Sequence, residues 1–258
     1  SHEATRDFER VVAQHRLWIS GFISLNDFSH SYVTSGATEG INQWRMTDSR
    51  AWQYLKGDYT WPQLISGNGV ETTVDKLTPD RVLYVSNPRC RDGNFLSDDE
   101  IHRINSIGCP VILDCAYLGA TGMRQIPVFE RTEQILFSFS KGWGLIGQRA
   151  GLLYTKKPHP TLKHMQRVEC WNYQTTEIMR TIMCHYAPDS MHKAGLSRQE
   201  SLCKQLDLTL SDTYFLATST HPQFERQMRA DRIARLCLTP FWSDDSASLG
   251  QADNLTLS

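Results

Sequence analysis

Short, continuous apolar segments are the feature of this sequence that most restricts how the chain can fold. Four of them are residues 82–85, 110–113, 134–139 and 151–154. Strands that are apolar throughout are typical of a parallel sheet whose two faces are both covered. Helical segments lie between them, such as residues 98–107 with Ser97 as N-cap. This alternation predicts an α/β fold in which a mostly parallel sheet is sandwiched by helices.

Polar residues and glycines follow the predicted strands at the point where each strand ends. The first of these strands is a short one at residues 32–33. The residues at the strand ends are Gly36, Asn87, Asp114 and 138–141. In an open parallel sheet, ligands bind at the carboxyl ends of the strands. We therefore expect a functional site where these residues converge.

The segments before and after the predicted parallel strands indicate that the chain is divided into three regions. Residues 3–24 have apolar positions at helical spacing, and residues 160–217 are interpreted as mostly helical with an interruption near Pro188. A late strand is predicted at 233–238, and the Ser- and Asp-rich chain from Ser243 onward is predicted to be a loose tail. The resulting parts are an N-terminal helix at 1–25, a large domain at 26–185, and a reduced small domain with the tail at 186–258.

Net charge and cysteine usage exclude several classes of function. The chain has 27 Lys and Arg against 28 Asp and Glu, so its charge does not favour nucleic acid or an anionic membrane. No apolar run reaches the roughly 18–20 residues of a membrane helix, and the polar residues 1–16 do not resemble a secretion signal. The 7 cysteines are odd in number and lack C-x-x-C spacing. We therefore expect no metal site, no disulfide framework, and reduced thiols in a cytoplasmic protein.

One lysine stands where it can react with a bound carbonyl compound. Lys141 directly follows an apolar strand and opens a glycine-rich loop. A lysine amine condenses with an aldehyde to an imine, and the hydroxyls of Ser138 and Ser140 lie beside it in sequence. Arg149 follows in the same segment and suits bidentate binding of a phosphate. Taken alone, the Ser-Lys pair is more often a surface lysine in a flexible loop.

Four segments taken together resemble the class I/II aminotransferase family. Residues 138–151 resemble its Schiff-base signature, in which Ser-x-Ser-Lys is followed by glycines and Gly-x-Arg-x-Gly. Residues 35–40, 58–63 and 112–117 resemble three further family segments in the family's order, and a weaker match lies near residue 235. The resemblance implies a shortened, aspartate-aminotransferase-like member of the pyridoxal-phosphate-dependent fold type I, with a reduced small C-terminal domain.

The resemblance also implies roles for individual residues. Lys141 would form the Schiff base with pyridoxal 5'-phosphate, Asp114 would pair with the pyridine nitrogen, and Tyr117 would hydrogen-bond the ring oxygen. Segment 35–40 would bind the phosphate through backbone N–H groups at a helix N-terminus. The cofactor-binding residues implied are Gly36, Ala37, Thr38, Trp61, Asp114, Tyr117, Ser138, Ser140, Lys141 and Arg149. Without Lys141, an N-cap aspartate and a core tyrosine would be the better interpretation of Asp114 and Tyr117.

Segment 58–63 resembles the stretch that supplies the aromatic ring stacked on the cofactor. We predict Trp61 for this role, with Tyr59 as the alternative, because both side chains point the same way if the segment is extended. An aromatic residue that only fills the core is a competing interpretation.

Two further positions near the site need separate interpretation. Cys90 takes the place of an asparagine that bonds the ring oxygen in relatives, and a thiol is a poor hydrogen-bond donor. We therefore do not assign that role to Cys90, and Asn87 or a water is the alternative. Arg235 resembles the C-terminal arginine that binds the substrate carboxylate. A solvated basic face formed with Arg229 and Arg232 is the competing interpretation.

Transamination is the first functional hypothesis that follows from the resemblance. The substrate would be an amino acid or another small-molecule amine, and a decarboxylase or lyase on the same scaffold is the alternative. A third hypothesis is a catalytically silent binding protein, against which Lys141, Asp114, Tyr117 and Arg149 argue together. The resemblance also implies a homodimer. We expect residues 3–24 and the region from Gly36 to Trp61 near its interface.

Overall fold

The computed structural model describes residues 2–242, with side chains from residue 7 onward, and contains two sheets. The larger sheet has 7 strands in the order β1-β7-β6-β5-β4-β2-β3. Their bounds are β1 His30–Ser35, β2 Trp52–Leu55, β3 Val70–Thr72, β4 Val82–Ser86, β5 Val111–Asp114, β6 Thr132–Ser138 and β7 Ala150–Thr155. Strands β2 to β6 run parallel to one another, which confirms the mostly parallel α/β fold predicted from the sequence.

Strand β7 is the exception, because it pairs antiparallel with both β6 and β1. Two reversals restore the direction, so β1 points the same way as β4, β5 and β6. The carboxyl ends of these four strands therefore meet the amino end of β7 at one edge of the sheet. That edge receives Gly36 from β1, Asp114 from β5, Lys141 after β6 and Arg149 before β7.

Helices cover both faces of this sheet. Their bounds are α1 His2–Ile19, α2 Gly36–Thr47, α3 Trp61–Ser66, α4 Asp98–Ile107, α5 Pro160–Arg167, α6 Tyr173–His185 and α7 Ser190–Leu206. Alternate strand residues enter two separate cores. Leu83 and Leu113 face the core that includes α1, α4 and α6, whereas Tyr84 and Ile112 face the core that includes α2 and α5. Burial on both faces is the physical reason for the continuous apolar segments.

Helix α4 is capped at both ends by residue types that favour helix termini. Ser97 accepts a hydrogen bond from the Glu100 backbone N–H, and the Glu100 side chain accepts one from the Ser97 backbone. This reciprocal cap contributes about 1 kcal/mol. Gly108 ends the helix with φ +69°, which a glycine adopts without strain. The helix predicted at 98–107 is confirmed with its cap.

The second sheet corrects one prediction. It has the order β10-β11-β9-β8, with β8 Thr209–Leu210, β9 Leu216–Ser219, β10 Met228–Ala230 and β11 Ile233–Cys237. The prediction that residues 160–217 are mostly helical is wrong beyond Leu206, because Asp207 is left-handed with φ 52° and two strands follow. The late strand predicted at 233–238 is confirmed as β11. The tail predicted from Ser243 lies outside the described residues.

The N-terminal helix is also shorter than the predicted span 3–24, since α1 ends at Ile19. A turn at Ser20 and Gly21 follows, and Phe22 and Ile23 are buried outside the helix. Their burial explains why the sequence kept an apolar pattern beyond the last helical turn. Across residues 2–242, none of the helices combines the length and hydrophobicity that a bilayer crossing requires.

Candidate active site

A cavity of about 150 Å³ opens at the edge of the sheet where the strand ends converge. Its lining contains most of the residues that the sequence singles out, namely Ala37, Thr38, Asp114, Tyr117, Ser138, Ser140, Lys141 and Arg149. Other lining residues are Tyr59, Ser86, Pro88, Cys90, Ala116 and Ile146. Gly36 and Arg235 are not part of the lining, but each contacts residues that are. Trp61 is not part of the lining either.

Lys141 stands in the loop after β6 and is half-buried. Burial lowers the pKa of its amine, and the nearby Arg235 guanidinium lowers this pKa further. A lower pKa increases the neutral, nucleophilic fraction of the amine near pH 7. The next residue fixes the loop, because a Cβ on Gly142 would lie 2.6 Å from the Gly119 carbonyl carbon. The hydroxyl of Tyr214 donates to the Gly142 carbonyl at 3.1 Å.

Asp114 ends β5 and is almost completely buried. Burial raises the pKa of its carboxyl to about 6, against the effect of two hydrogen bonds. The Tyr84 hydroxyl donates to Asp114 Oδ2, and the Ala116 backbone N–H donates to Oδ1 at 2.9 Å. The carboxyl is therefore largely ionised at neutral pH and lies in the cavity wall. Tyr84 is a site residue that the sequence analysis missed.

The turn from β1 into α2 forms a cradle with Arg149. The Arg149 guanidinium donates to the Ser35 carbonyl at 3.2 Å and to Thr38 Oγ1 at 2.9 Å. Gly36 has φ +72°, and a Cβ there would lie 3.1 Å from Arg149 Nη2. Glycine therefore permits both the turn and the close approach. The first N–H groups of α2 and the guanidinium together make a site suited to an anion.

A buried hydroxyl in the same wall is also suited to a ligand. Ser140 is buried, and its Oγ has no hydrogen-bond partner among the described residues. Its backbone N–H donates to Ser138 Oγ at 3.1 Å, which fixes the turn before Lys141. A buried hydroxyl without a partner costs free energy unless a ligand satisfies it. The Ser140 hydroxyl is therefore available to donate a hydrogen bond to a ligand in the cavity.

Of the two aromatic residues considered for stacking on the cofactor, Tyr59 lines the cavity and Trp61 does not. The segment is not extended, because Thr60 has φ −89° and ψ −3° and α3 begins at Trp61. The two side chains therefore point in different directions. Trp61 Nε1 donates to Asn42 Oδ1 at 2.8 Å and joins α3 to α2. The Tyr59 ring lines the cavity, where burial first and then the charge of Asp114 raise the pKa of its phenol.

Arg235 on β11 reaches the cavity wall from the second sheet. Its Nη1 donates to the Cys90 carbonyl at 2.6 Å and lies 3.2 Å from the Tyr117 hydroxyl. The same nitrogen is 3.1 Å from Cys90 Sγ, which itself lies 3.8 Å from the Tyr117 hydroxyl. The Arg235 guanidinium therefore approaches this side of the cavity.

The loop that carries Cys90 is held by Asp58, another residue that the sequence analysis missed. Asp58 accepts hydrogen bonds from the backbone N–H groups of Ser86 at 2.9 Å and Tyr59 at 2.7 Å. Ser86 Oγ in turn accepts from the Cys90 N–H at 2.7 Å. The amide of Asn87 accepts from Leu96 N–H at 3.1 Å and lies outside the cavity lining. The sequence signal for Asp58 was a carboxylate three residues after the end of strand β2.

Comparison with known proteins adds independent findings. The family model described as aminotransferase class I and II matches residues 64–230, which include Asp114, Lys141 and Arg149. A histidinol-phosphate aminotransferase of Gloeobacter violaceus is 37% identical over 73 residues, covering 28% of this chain and 21% of that protein. The matched part is thus about a fifth of the relative's length.

Solved structures agree on the fold. A putative aminotransferase of Burkholderia pseudomallei has a TM-score of 0.69 at 15% identity, covering 90% of this chain and 83% of that one. A histidinol-phosphate aminotransferase of Sinorhizobium meliloti, in complex with pyridoxal-5'-phosphate, has a TM-score of 0.69 at 12% identity, covering 92% and 77%. At such identities the likeness establishes the fold, which is fold type I. With the family match over most of its length, this chain belongs to the class I and II aminotransferase family.

Proposed function

We propose that this chain is a pyridoxal-phosphate-dependent aminotransferase in which Lys141 bonds the aldehyde of the cofactor. The observation that carries the proposal is the convergence, in one cavity, of an amine with a lowered pKa, a buried carboxylate and an anion cradle. When bound, pyridoxal phosphate withdraws the electron pair left at the substrate carbon beside the amine nitrogen, so that a proton there becomes removable.

The residues of the cavity fit this cofactor group by group. Arg149, the N–H groups that begin α2 and the unpartnered Ser140 hydroxyl would hold the phosphate. Asp114 would bind the protonated pyridine nitrogen, because an ionised buried carboxyl needs a cationic partner. Tyr59 would pack on the ring face and Tyr117 would hydrogen-bond the ring oxygen.

Lys141 would also move the proton that transamination requires. Burial and then the charge of Arg235 lower its pKa, so a larger fraction of the amine is unprotonated and able to accept a proton. A proton carrier at this position favours transamination as the reaction.

We propose a small primary amine that also carries an anionic group as the substrate. Arg235 places positive charge on one side of the cavity, and a guanidinium binds a carboxylate or phosphate in bidentate fashion. Amino acids and phosphorylated amino alcohols both satisfy this description. The curated relative is named for a substrate of the second kind.

We propose that the chain works as a homodimer in the cytoplasm. Two large apolar side chains on neighbouring helices are mostly exposed, Met46 on α2 at 76% and Leu64 on α3 at 74%. Exposed apolar side chains on adjacent elements are suited to a protein interface. All cysteines of the chain are free thiols, which supports a reducing compartment.

An absorbance experiment tests the proposed function. The purified protein is loaded with pyridoxal phosphate, and spectra are recorded before and after addition of single amino acids and phosphorylated amino alcohols. We expect at least one anionic amine to change the spectrum and to yield a carbonyl product. Release of carbon dioxide instead would replace transamination with decarboxylation, and failure to take up the cofactor would refute the proposal.

A further inference from the structure

Tyr84 makes a hydrogen bond to Asp114, although the sequence analysis did not select Tyr84 as a site residue. Tyr84 lies on β4 beside β5, where Tyr84 pairs with Ile112 and Ser86 with Asp114. Its ring is completely buried and stacks on Trp44 with ring centroids 5.9 Å apart and an interplanar angle of 12°. The stacked ring fixes the direction of the hydroxyl, which donates to Asp114 Oδ2.

The phenol keeps its proton and donates it to Asp114 in this bond. Burial first, and then the charge of Asp114, raise the pKa of Tyr84 well above its usual value, so the hydroxyl keeps its proton. The Ala116 N–H occupies the other carboxyl oxygen. Both oxygens of Asp114 therefore accept hydrogen bonds, one from the Tyr84 hydroxyl and the other from the Ala116 backbone N–H. A carboxylate satisfies this arrangement better than a protonated carboxyl, which must place its own hydrogen.

The remaining groups around Asp114 do not replace this contribution. Asp58, after β2, raises the pKa of Asp114 by its charge, and burial raises it more. Burial raises the pKa values of Tyr59, Cys115 and Tyr117, and the negative charge of Asp114 adds to each of these increases. The hydrogen bonds from Tyr84 and Ala116 act in the opposite direction.

We propose that Tyr84 is a positioning residue that keeps Asp114 ionised and directs its free lone pairs into the cavity. The inference rests on the proposed function, since it assigns Asp114 to a cationic ligand group. It deepens that function by naming the residue that sets the state of the carboxyl before any ligand binds. Trp44 supports it by holding the ring.

The test is a titration of the Asp114 carboxyl in the cofactor-free protein. Aspartate is labelled with ¹³C at the carboxyl carbon, the Asp114 signal is assigned by its loss in Asp114→Asn, and its midpoint is followed by NMR. In Tyr84→Phe we expect the midpoint to rise by about one pH unit, which is about tenfold tighter proton binding. The matched control is Tyr154→Phe, another fully buried tyrosine, whose hydroxyl bonds His15 at 2.8 Å away from the cavity.

A second variant covers the case in which Tyr84→Phe fails to fold. 3-Fluorotyrosine at position 84 keeps the shape and makes the hydroxyl a stronger donor, so we expect the Asp114 midpoint to fall. An unchanged midpoint in the folded variant, or an equal shift in Tyr154→Phe, would overturn the inference.

Cofactor binding provides a readout that a merely structural role would not produce. The dissociation constant of pyridoxal phosphate is measured for wild type and Tyr84→Phe across pH. We expect the ratio of the two constants to grow to about tenfold as pH falls below the wild-type midpoint, and to approach one at alkaline pH. A ratio that is independent of pH would contradict the inference. If the cofactor binds at no pH, the proposed function fails, whereas the NMR titration still decides the role of Tyr84.

Discussion

At the scale of single residues, the charge of Asp114 is the property on which the proposed chemistry depends most. We expect Asp114→Asn to lower turnover by at least about a hundredfold, because a neutral amide cannot hold a ring nitrogen in its protonated form. The fold should persist, since the amide keeps the shape and can still accept from Tyr84. Steady-state kinetics with circular dichroism as a fold control measure this. A turnover near wild type would remove Asp114 from its role.

Tyr59 and Trp61 provide a second test at this scale. Tyr59→Leu removes an aromatic ring from the cavity wall, and we expect cofactor affinity to fall about tenfold, the order of a lost stacking contact. Trp61→Leu is the matched control, because Trp61 bonds Asn42 away from the cavity. We expect it to affect stability more than affinity. Equal losses of affinity in both variants would contradict the assignment of Tyr59.

Residues at strand ends could be predicted from the sequence, and residues held by tertiary contacts could not. Asp114 and Lys141 follow apolar strands directly, so the edge they share follows from strand direction. Tyr84 lies inside an apolar strand, where nothing in the sequence distinguishes it from a core residue. Its partner is set by the register of β4 and β5. The side chains of Tyr59 and Trp61 do not share a face, because a helix begins at Trp61 where an extended segment is predicted from the sequence.

At the scale of elements, helix α1 is attached to the sheet through a buried histidine. His15 is 1% exposed, and its Nδ1 lies 2.8 Å from the Tyr154 hydroxyl on β7. Burial first, and the charge of Arg16 second, lower the pKa of His15 from 6.5 to about 3. The folded protein therefore keeps this ring neutral over a range in which the unfolded chain binds a proton.

The stability of the protein should consequently depend on pH through His15. Its contribution is complete above about pH 6.5 and is lost as pH falls toward about 3, at about 1.4 kcal/mol per pH unit. Urea unfolding of wild type and His15→Gln at about pH 7.5 and about pH 5 measures this. We expect the difference in unfolding free energy between the two proteins to shrink at the lower pH. A difference that does not change with pH would contradict a neutral buried His15.

Strand β7 is an element whose presence was predictable and whose direction was not. Residues 151–154 are apolar throughout, as a doubly buried strand requires. Parallel and antiparallel pairing both satisfy that pattern. What decides between them is the structure of the connection at residues 139–149, because a parallel return requires a crossover, usually a helix. The 3₁₀ turn at Ile146–Gln148 supplies no such crossover.

At the scale of the whole molecule, assembly is the property to test first. We expect light scattering to give twice the 29.5 kDa mass of the chain. Leu64→Glu should shift the population toward monomer, since it places a charge in an apolar contact on α3. Leu210→Glu is the control, because Leu210 is also exposed, at 45%, but lies on β8 of the second sheet. Dissociation by both variants or by neither would contradict an interface at α2 and α3.

The covalent attachment of the cofactor tests the central claim most directly. The protein loaded with pyridoxal phosphate is reduced with borohydride, digested and mapped by mass spectrometry, with Lys141→Ala as control. Lys141 stands at the cavity with a lowered pKa, so we expect the added mass on the peptide that contains it and no labelled peptide from the variant. A label on another lysine, or a label that persists in Lys141→Ala, would contradict the account.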